Sequence, residues 1–297
     1  MTRETTTILR DLSYLEGPRW HDGRIWVADF YTHQVLSARE DGSELRLEAE
    51  VPNQPSGLGW LPDGRLLVAS MRDRTLLRRE ADGTLVTHAD LADHVRGHLN
   101  DMVVDAQGRA FLGNFGFDLM GGAPLEPANL LRIDPDGTVT EVATDLWFPN
   151  GMVITDNHSL LLGETFGNQI TAFDITPDGT LVRRRAWAKF GDRPTERDLD
   201  KALAQVRVGP DGCCLDAEGA LWIADAVNSR LIRVREGGEI VEEIQPGTGV
   251  FACMLGGSDG RTLFACAAPD FAEHNRKHTR EASLLAIRVD IAHAGLP

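Results

Sequence analysis

Short apolar runs flanked by polar residues recur along this chain, as in RIWVAD (24–29), RLLVAS (65–70) and ALWIAD (220–225), and alternating runs such as QVLSARE follow them. The runs are rich in β-branched and aromatic residues and are bounded by Asp-Gly or similar turn pairs. That combination predicts antiparallel strands joined by hairpins, not helices. One composite pattern returns six times: a small or polar pair, an apolar strand, a turn ending in or near Gly, and a second apolar strand. The copies are EGPRWHDGRIWVAD (16–29), SGLGWLPDGRLLVAS (56–70), NDMVVDAQGRAFLGN (100–114), NGMVITDNHSLLLGE (150–164), DGCCLDAEGALWIAD (211–225) and ACMLGGSDGRTLFAC (252–266). A third alternating run follows most copies, for example QVLSARE or RLIRVREGG, and ends in a further Gly turn.

Strand units repeated at steps of 40 to 61 residues predict the blades of a propeller. The fold expected is all-β: one six-bladed β-propeller domain over residues 1–297, with four-stranded antiparallel blades. No Trp-Asp dipeptide closes the blades, which argues against the WD40 type. The last copy has only three strands of its own, FACML, TLFACA and LLAIRV, so the N-terminal run TTTILRDL is expected to supply the fourth and close the ring. Residues 114–129 and 186–209 exceed the basic unit and read as insertions over the binding face, the second with a short helix.

Composition narrows the function classes. A formal charge of -15 disfavours nucleic acid and anionic membranes, and no apolar stretch approaches the roughly 20 residues of a membrane helix. The opening MTRETTTILRDL lacks the basic start and apolar core of a secretory signal, and the cysteines, Cys213, Cys214, Cys253 and Cys266, show no CxxC spacing. A cytoplasmic protein acting on a small molecule, as a monomer or small homo-oligomer, is expected.

The candidate chemistry lies at the starts of the repeats. By repeat symmetry Glu16, Ser56, Asn100, Asn150, Asp211 and Ala252 are equivalent and must lie on a ring about the propeller axis. A structural role would favour similar residues at every place. Instead there are two carboxylates, two carboxamides and two small residues. Carboxylates and amide oxygens converging on an axis repel or go unsatisfied without a cation. With one they form an oxygen-only site for a hard divalent ion, Ca²⁺ first, with Zn²⁺, Mg²⁺ or Mn²⁺ open. Trp20, Met71, Phe115, Trp147, Phe148 and Phe166 are candidates to line a pocket above it.

LEGPRW (15–20), HLND (98–101), FPNGM (148–152) and GPDGCCLDAEGALWIAD (209–225) fall in an order and phase that resemble the gluconolactonase, luciferin-regenerating enzyme and senescence marker protein (regucalcin-like) family. The resemblance implies a six-bladed propeller with an axial divalent metal. It implies Glu16, Asn150 and Asp211 as metal ligands, Asp211 also as general base or nucleophile, and Asn100 as a residue touching metal or substrate. Asp101 matches a neighbouring acidic position. His98 stands where sugar-lactone members carry an Arg that contacts substrate, so a polar aldonolactone is the less secure substrate, and His98 becomes a candidate second base or hydrogen-bond donor.

The resulting expectation is metal-dependent hydrolysis of a cyclic ester. Its rivals are other chemistry on the same metal, either phosphotriester hydrolysis or a biosynthetic isomerisation or cyclisation, and a non-enzymatic calcium-binding propeller.

Overall fold

The computed structural model describes residues 3–295. Twenty-four strands form six antiparallel four-stranded sheets arranged as blades. The inner strands of blades one to six are Leu15–His21, Pro55–Trp60, Leu99–Val104, Pro149–Ile154, Pro210–Leu215 and Gly249–Gly256. Within each blade the chain runs outward strand by strand, and the connections are the short turns that the sequence marks. At Asp82-Gly83, for example, the Asp82 carboxylate accepts from the Thr84 amide at 3.0 Å while Gly83 takes φ +88°. Glycine adopts that left-handed conformation without the clash a Cβ would create.

The sixth blade is completed by Thr5–Leu12, which pairs antiparallel with Ala282–Arg288. The N-terminal run thus closes the ring as its apolar pattern predicted. The core sits between blades, where their faces interleave. Leu67, Leu99, Met102 and Leu112 pack between blades two and three, and Val153, Leu161, Cys213 and Leu221 between four and five. All four cysteines are buried free thiols. Among the described residues no helix is long and apolar enough to cross a membrane.

Two features of the inner strands set up the site. First, each one slips register against its neighbour near its start. In blade three the three steps from Leu99 to Met102 face only two, from Asn114 to Leu112. The same irregularity falls between Glu16 and Arg19, Pro55 and Leu58, Pro149 and Met152, Pro210 and Cys213, and Val250 and Ala252. Such a bulge adds a residue and re-aims its side chain out of the regular pleat.

Second, the inner strands approach one another too closely for a side chain. A Cβ on Gly151 would lie 2.5 Å from the Asp211 carbonyl oxygen and 2.8 Å from the Gly212 Cα. A Cβ on Gly212 would in turn lie 2.6 Å from the Ala252 Cα. The Gly after Glu16, Ser56, Asn150 and Asp211 is therefore a consequence of the hub's crowding, while Asn100 is followed by Asp101. This neighbour relation also corrects one alignment: Ala252 is the counterpart of Gly212, so the sixth ring place belongs to Phe251. The run GVFACML is apolar throughout and carries no Gly at that point, which is why repeat symmetry alone misplaced it.

Candidate active site

Five of the six bulged positions open onto one cavity of about 310 Å³ at the hub; Ser56 of blade two does not line it. Glu16, Asn100, Asn150 and Asp211 all line it, together with Phe251. Side chains separated by almost 200 residues of sequence are thus brought to one wall. Each of the four polar side chains is buried, with 5 to 8% of its surface exposed.

The approach to three of these residues is held by a buried acid at the end of the same blade's second strand. Asp29 accepts from the Tyr14 amide at 3.0 Å and the Ser13 amide at 3.2 Å, just ahead of Glu16. Glu164 accepts from the Trp147 amide at 2.8 Å, ahead of Asn150, and Asp225 from the Gly209 amide at 3.0 Å, ahead of Asp211. Asp29, Glu164 and Asp225 are essentially inaccessible. A buried carboxylate that satisfies backbone donors fixes a loop more firmly than a neutral acceptor would. Sequence reasoning passed over these residues. Their signal was available in the copies ending WVAD, LLGE and WIAD, since blades two, three and six end in Ser, Asn and Ala instead.

The electrostatics of the floor are strained. Burial pushes the Asp211 carboxyl well above the usual carboxylate range, and the charge of Asp101 adds to the shift; the Gly212 amide and the Asn150 side chain pull the other way. Burial likewise raises Glu16 well above its ordinary value, reinforced by Asp211 and Asp101, against the Gly17 amide and Arg19. Asp211 Oδ1 is buried without any hydrogen-bond partner. A buried polar atom left unpaired is costly. The Asn100 amide nitrogen is committed to the Pro149 carbonyl at 3.0 Å, which leaves its oxygen for the cavity. Asn150 lies 3.5 Å from the Thr165 hydroxyl, which itself donates to the Pro210 carbonyl at 2.7 Å.

Two expected site residues lie elsewhere. Asp101 does not line the cavity; its Oδ1 accepts from the Arg19 guanidinium at 2.6 Å and from the Met102 amide at 2.8 Å, in a buried ion pair behind the floor. Because Arg19 offsets Asp101, the uncompensated charge is that of Glu16 and Asp211. His98 is half-buried and packs its ring 5.9 Å from that of Phe115, outside the cavity lining. Burial and then the charge of Arg72 lower its pKa, which favours the neutral imidazole.

Of the candidate aromatic lining, Phe115, Phe148 and Phe166 are present, and Trp20, Met71 and Trp147 are not. Trp20 stacks on Phe264 at 5.6 Å, Met71 is fully buried between blades, and Trp147 lies under the Arg193 guanidinium at 4.4 Å. The insertions do reach the mouth: Leu119 and Met120 come from the first, and Leu199 and Leu203 from the second. The second contains the short helix Leu199–Leu203, capped by Asp198, though its strand runs on to Lys189 before the loop begins.

Among the described residues no group of three or more His, Cys, Asp and Glu side chains is disposed to hold a metal ion. A cation here would have to be held by the two carboxylates and completed by amide oxygens. The donor set fits a hard divalent ion on chemical grounds, since every atom offered is oxygen and one of them, Asp211 Oδ1, lacks any other partner.

Comparison with known proteins agrees with the architecture. The model of the SMP-30/Gluconolactonase/LRE-like region matches residues 15–268. The pentonolactonase XacC of Haloferax volcanii is 27% identical over 292 residues, covering 95% of this chain and 92% of the relative. The 6-deoxy-6-sulfogluconolactonase of Pseudomonas putida is 26% identical over 284 residues, with 90% and 89% covered. Among solved structures, the calcium-binding protein regucalcin from Agrobacterium tumefaciens matches with a TM-score of 0.76 over 99% of this chain and 97% of its own, at 18% identity, a likeness of fold. The matched region takes in every ring position from Glu16 to Phe251, and the chain belongs to the SMP-30/gluconolactonase/LRE-like family.

Proposed function

We propose that this chain is a divalent-cation-dependent lactonase whose reaction takes place on the cavity floor. The observation that carries the reading is the unpartnered Asp211 Oδ1, buried beside Glu16 and two amides at the base of an otherwise apolar cavity. Two curated relatives named for lactone hydrolysis support the reaction class, and a neighbour described as calcium-binding supports the choice of Ca²⁺.

Glu16, Asn150 and Asp211 would hold the ion, with Asn100 beside them. Bound there, it would supply the positive charge that polarises an ester carbonyl and offsets the developing oxyanion. The remaining work falls to the chain. Asp211 accepts a proton from water as the water oxygen bonds to the acyl carbon. The bond from that carbon to the ring oxygen then breaks, and the ring oxygen takes up the proton that Asp211 holds. The product is the open hydroxy acid. Burial raises the Asp211 pKa above that of an exposed carboxylate in the ion-free protein, and a bound divalent charge would oppose that shift and favour the ionised form that accepts the proton. Asn100, with its nitrogen tied to Pro149, presents an oxygen in fixed orientation. The bulges and the buried acids Asp29, Glu164 and Asp225 keep the floor from relaxing.

The test is hydrolysis of a panel of lactones followed by pH-stat titration of the acid released. The expected result is turnover that Asp211→Asn reduces by about 100-fold or more, the usual contribution of a general base. Unchanged turnover in that variant defeats the assignment.

A further inference from the structure

The walls above the floor carry information about the substrate that the floor does not. Two groups of aromatic rings face each other across the axis. Phe115, Phe148 and Phe166 come from blades three and four; Phe115 and Phe148 stack at 4.7 Å, and Phe166 meets Phe148 edge-on at 5.4 Å. Tyr14, Phe30 and Phe251 come from blades one and six, with Tyr14 5.2 Å from Phe30 and 5.0 Å from Phe251. In a ring of six, blades three and four stand opposite six and one, so the cavity lies between two aromatic faces. The mouth continues the same character. Leu119, Met120, Leu199 and Leu203 reach it from the insertions, and Phe271 lines it while remaining 41% exposed.

Polar atoms above the floor are few. Among side chains they are the hydroxyls of Tyr14, Tyr31 and Thr165, and Thr165 already donates to the Pro210 carbonyl. A polyhydroxylated lactone would bury several hydroxyls against rings that cannot hydrogen-bond in their plane. Each hydroxyl left unpaired costs roughly a factor of ten or more in binding. An arene or alkyl chain loses nothing there and gains from aromatic contact. The cavity is also small, at the lower end of the range of about 300–1,000 Å³ for ligand pockets.

We infer that the substrate is a lactone with an apolar body, aryl-fused or alkyl-substituted, seated between the two aromatic faces with its ester carbonyl directed to the floor. This rests on the lactonase reading for the reaction but on the walls for the choice of substrate. Water still adds to the acyl carbon and the ring oxygen still leaves with the proton, so the product is an apolar hydroxy acid such as a hydroxyphenyl alkanoate.

The experiment compares two six-membered lactones, 3,4-dihydrocoumarin and glucono-1,5-lactone, in the Ca²⁺-supplemented protein. It pairs them with calorimetric binding of their uncleaved lactams, 3,4-dihydro-2-quinolinone and gluconolactam. The expected result is a kcat/KM for the aryl lactone at least about 100-fold higher, with a matching preference among the lactams. Phe271→Asn, at a surface-exposed position of the mouth, should narrow the ratio between the two lactones. A kcat/KM that favours the sugar lactone, with lactam binding to match, overturns the inference while leaving lactone hydrolysis intact. If neither lactone is hydrolysed but the aryl lactam binds in preference to the sugar lactam, the apolar site stands and the hydrolytic reading is what fails.

Discussion

Replacing Asp211 by Asn should make the cation-free protein more stable, although Asp211 is buried at the centre of the fold. The carboxyl is 7% exposed, has an oxygen without a partner, and shares its surroundings with Glu16 and Asp101. Its folded-state pKa is raised, so ionising it at neutral or alkaline pH opposes folding; the stability it lends is present below its unfolded pKa and is lost as pH rises through the folded value. The isosteric amide carries no charge and offers donors to the neighbouring carboxylates. Removing one uncompensated buried group is worth about 1–3 kcal/mol, or a rise in melting temperature of roughly 2–6 °C for a chain of this size. The assay is thermal unfolding followed by circular dichroism in excess chelator at pH 8, repeated at pH 5. The gain should be present at pH 8 and shrink at pH 5, closer to the unfolded-state pKa, where the linkage cost of the raised folded-state pKa is smaller. With Ca²⁺ at about 1,000 times its dissociation constant the wild type should gain about 4.1 kcal/mol and the order should invert. A variant that melts lower than wild type in chelator at pH 8 would show that Asp211 supports the fold and was not retained at the fold's expense.

The crowding of the hub makes Gly151→Ala a severe change, because the new methyl would press on the Asp211 carbonyl and the Cys213 amide from 2.5 and 2.6 Å. A loss of about 1–3 kcal/mol, read by urea unfolding, should accompany displacement of the Asp211 side chain and a fall in turnover. Arg19→Met strips the partner from Asp101 and leaves a buried charge, at a cost of about 3–5 kcal/mol. Adding Asp101→Asn to that variant should recover much of the loss, and a strictly additive double variant would contradict the pairing.

Much of the architecture was legible because the hydrophobic pattern, the Gly turns and the repeat all point to one answer. The strand TTTILRDL could be placed in the last blade by counting, since the sixth copy was one strand short. Glu16, Asn100, Asn150 and Asp211 could be placed on a ring because a repeat turns sequence phase into position about an axis. Phe251 could not, since an apolar strand without Gly gives no phase marker. His98 and Asp101 show the other limit. Asp101 adjoins Asn100, and alternation along a strand sends immediate neighbours to different faces, with the bulge altering the pattern locally; His98 precedes the strand that begins at Leu99, so strand periodicity does not place it. Asp101 therefore meets Arg19, which sequence distance hid, and His98 packs behind Phe115. The aromatic walls were legible only in part for a similar reason: Phe115, Phe148 and Phe166 follow or precede strands as Met71 and Trp147 do, and only the packing decides which face the axis.

The central claim is that the oxygens of Glu16, Asn100, Asn150 and Asp211 act together on a divalent cation to hydrolyse a lactone. The most direct test titrates Ca²⁺ into chelator-stripped protein while following both binding by calorimetry and hydrolysis of dihydrocoumarin by pH-stat. The account predicts one binding site per chain, turnover that rises from baseline with the same midpoint as binding, and loss of both in Glu16→Gln. Full turnover in the stripped protein, or binding that survives Glu16→Gln unchanged, would contradict it.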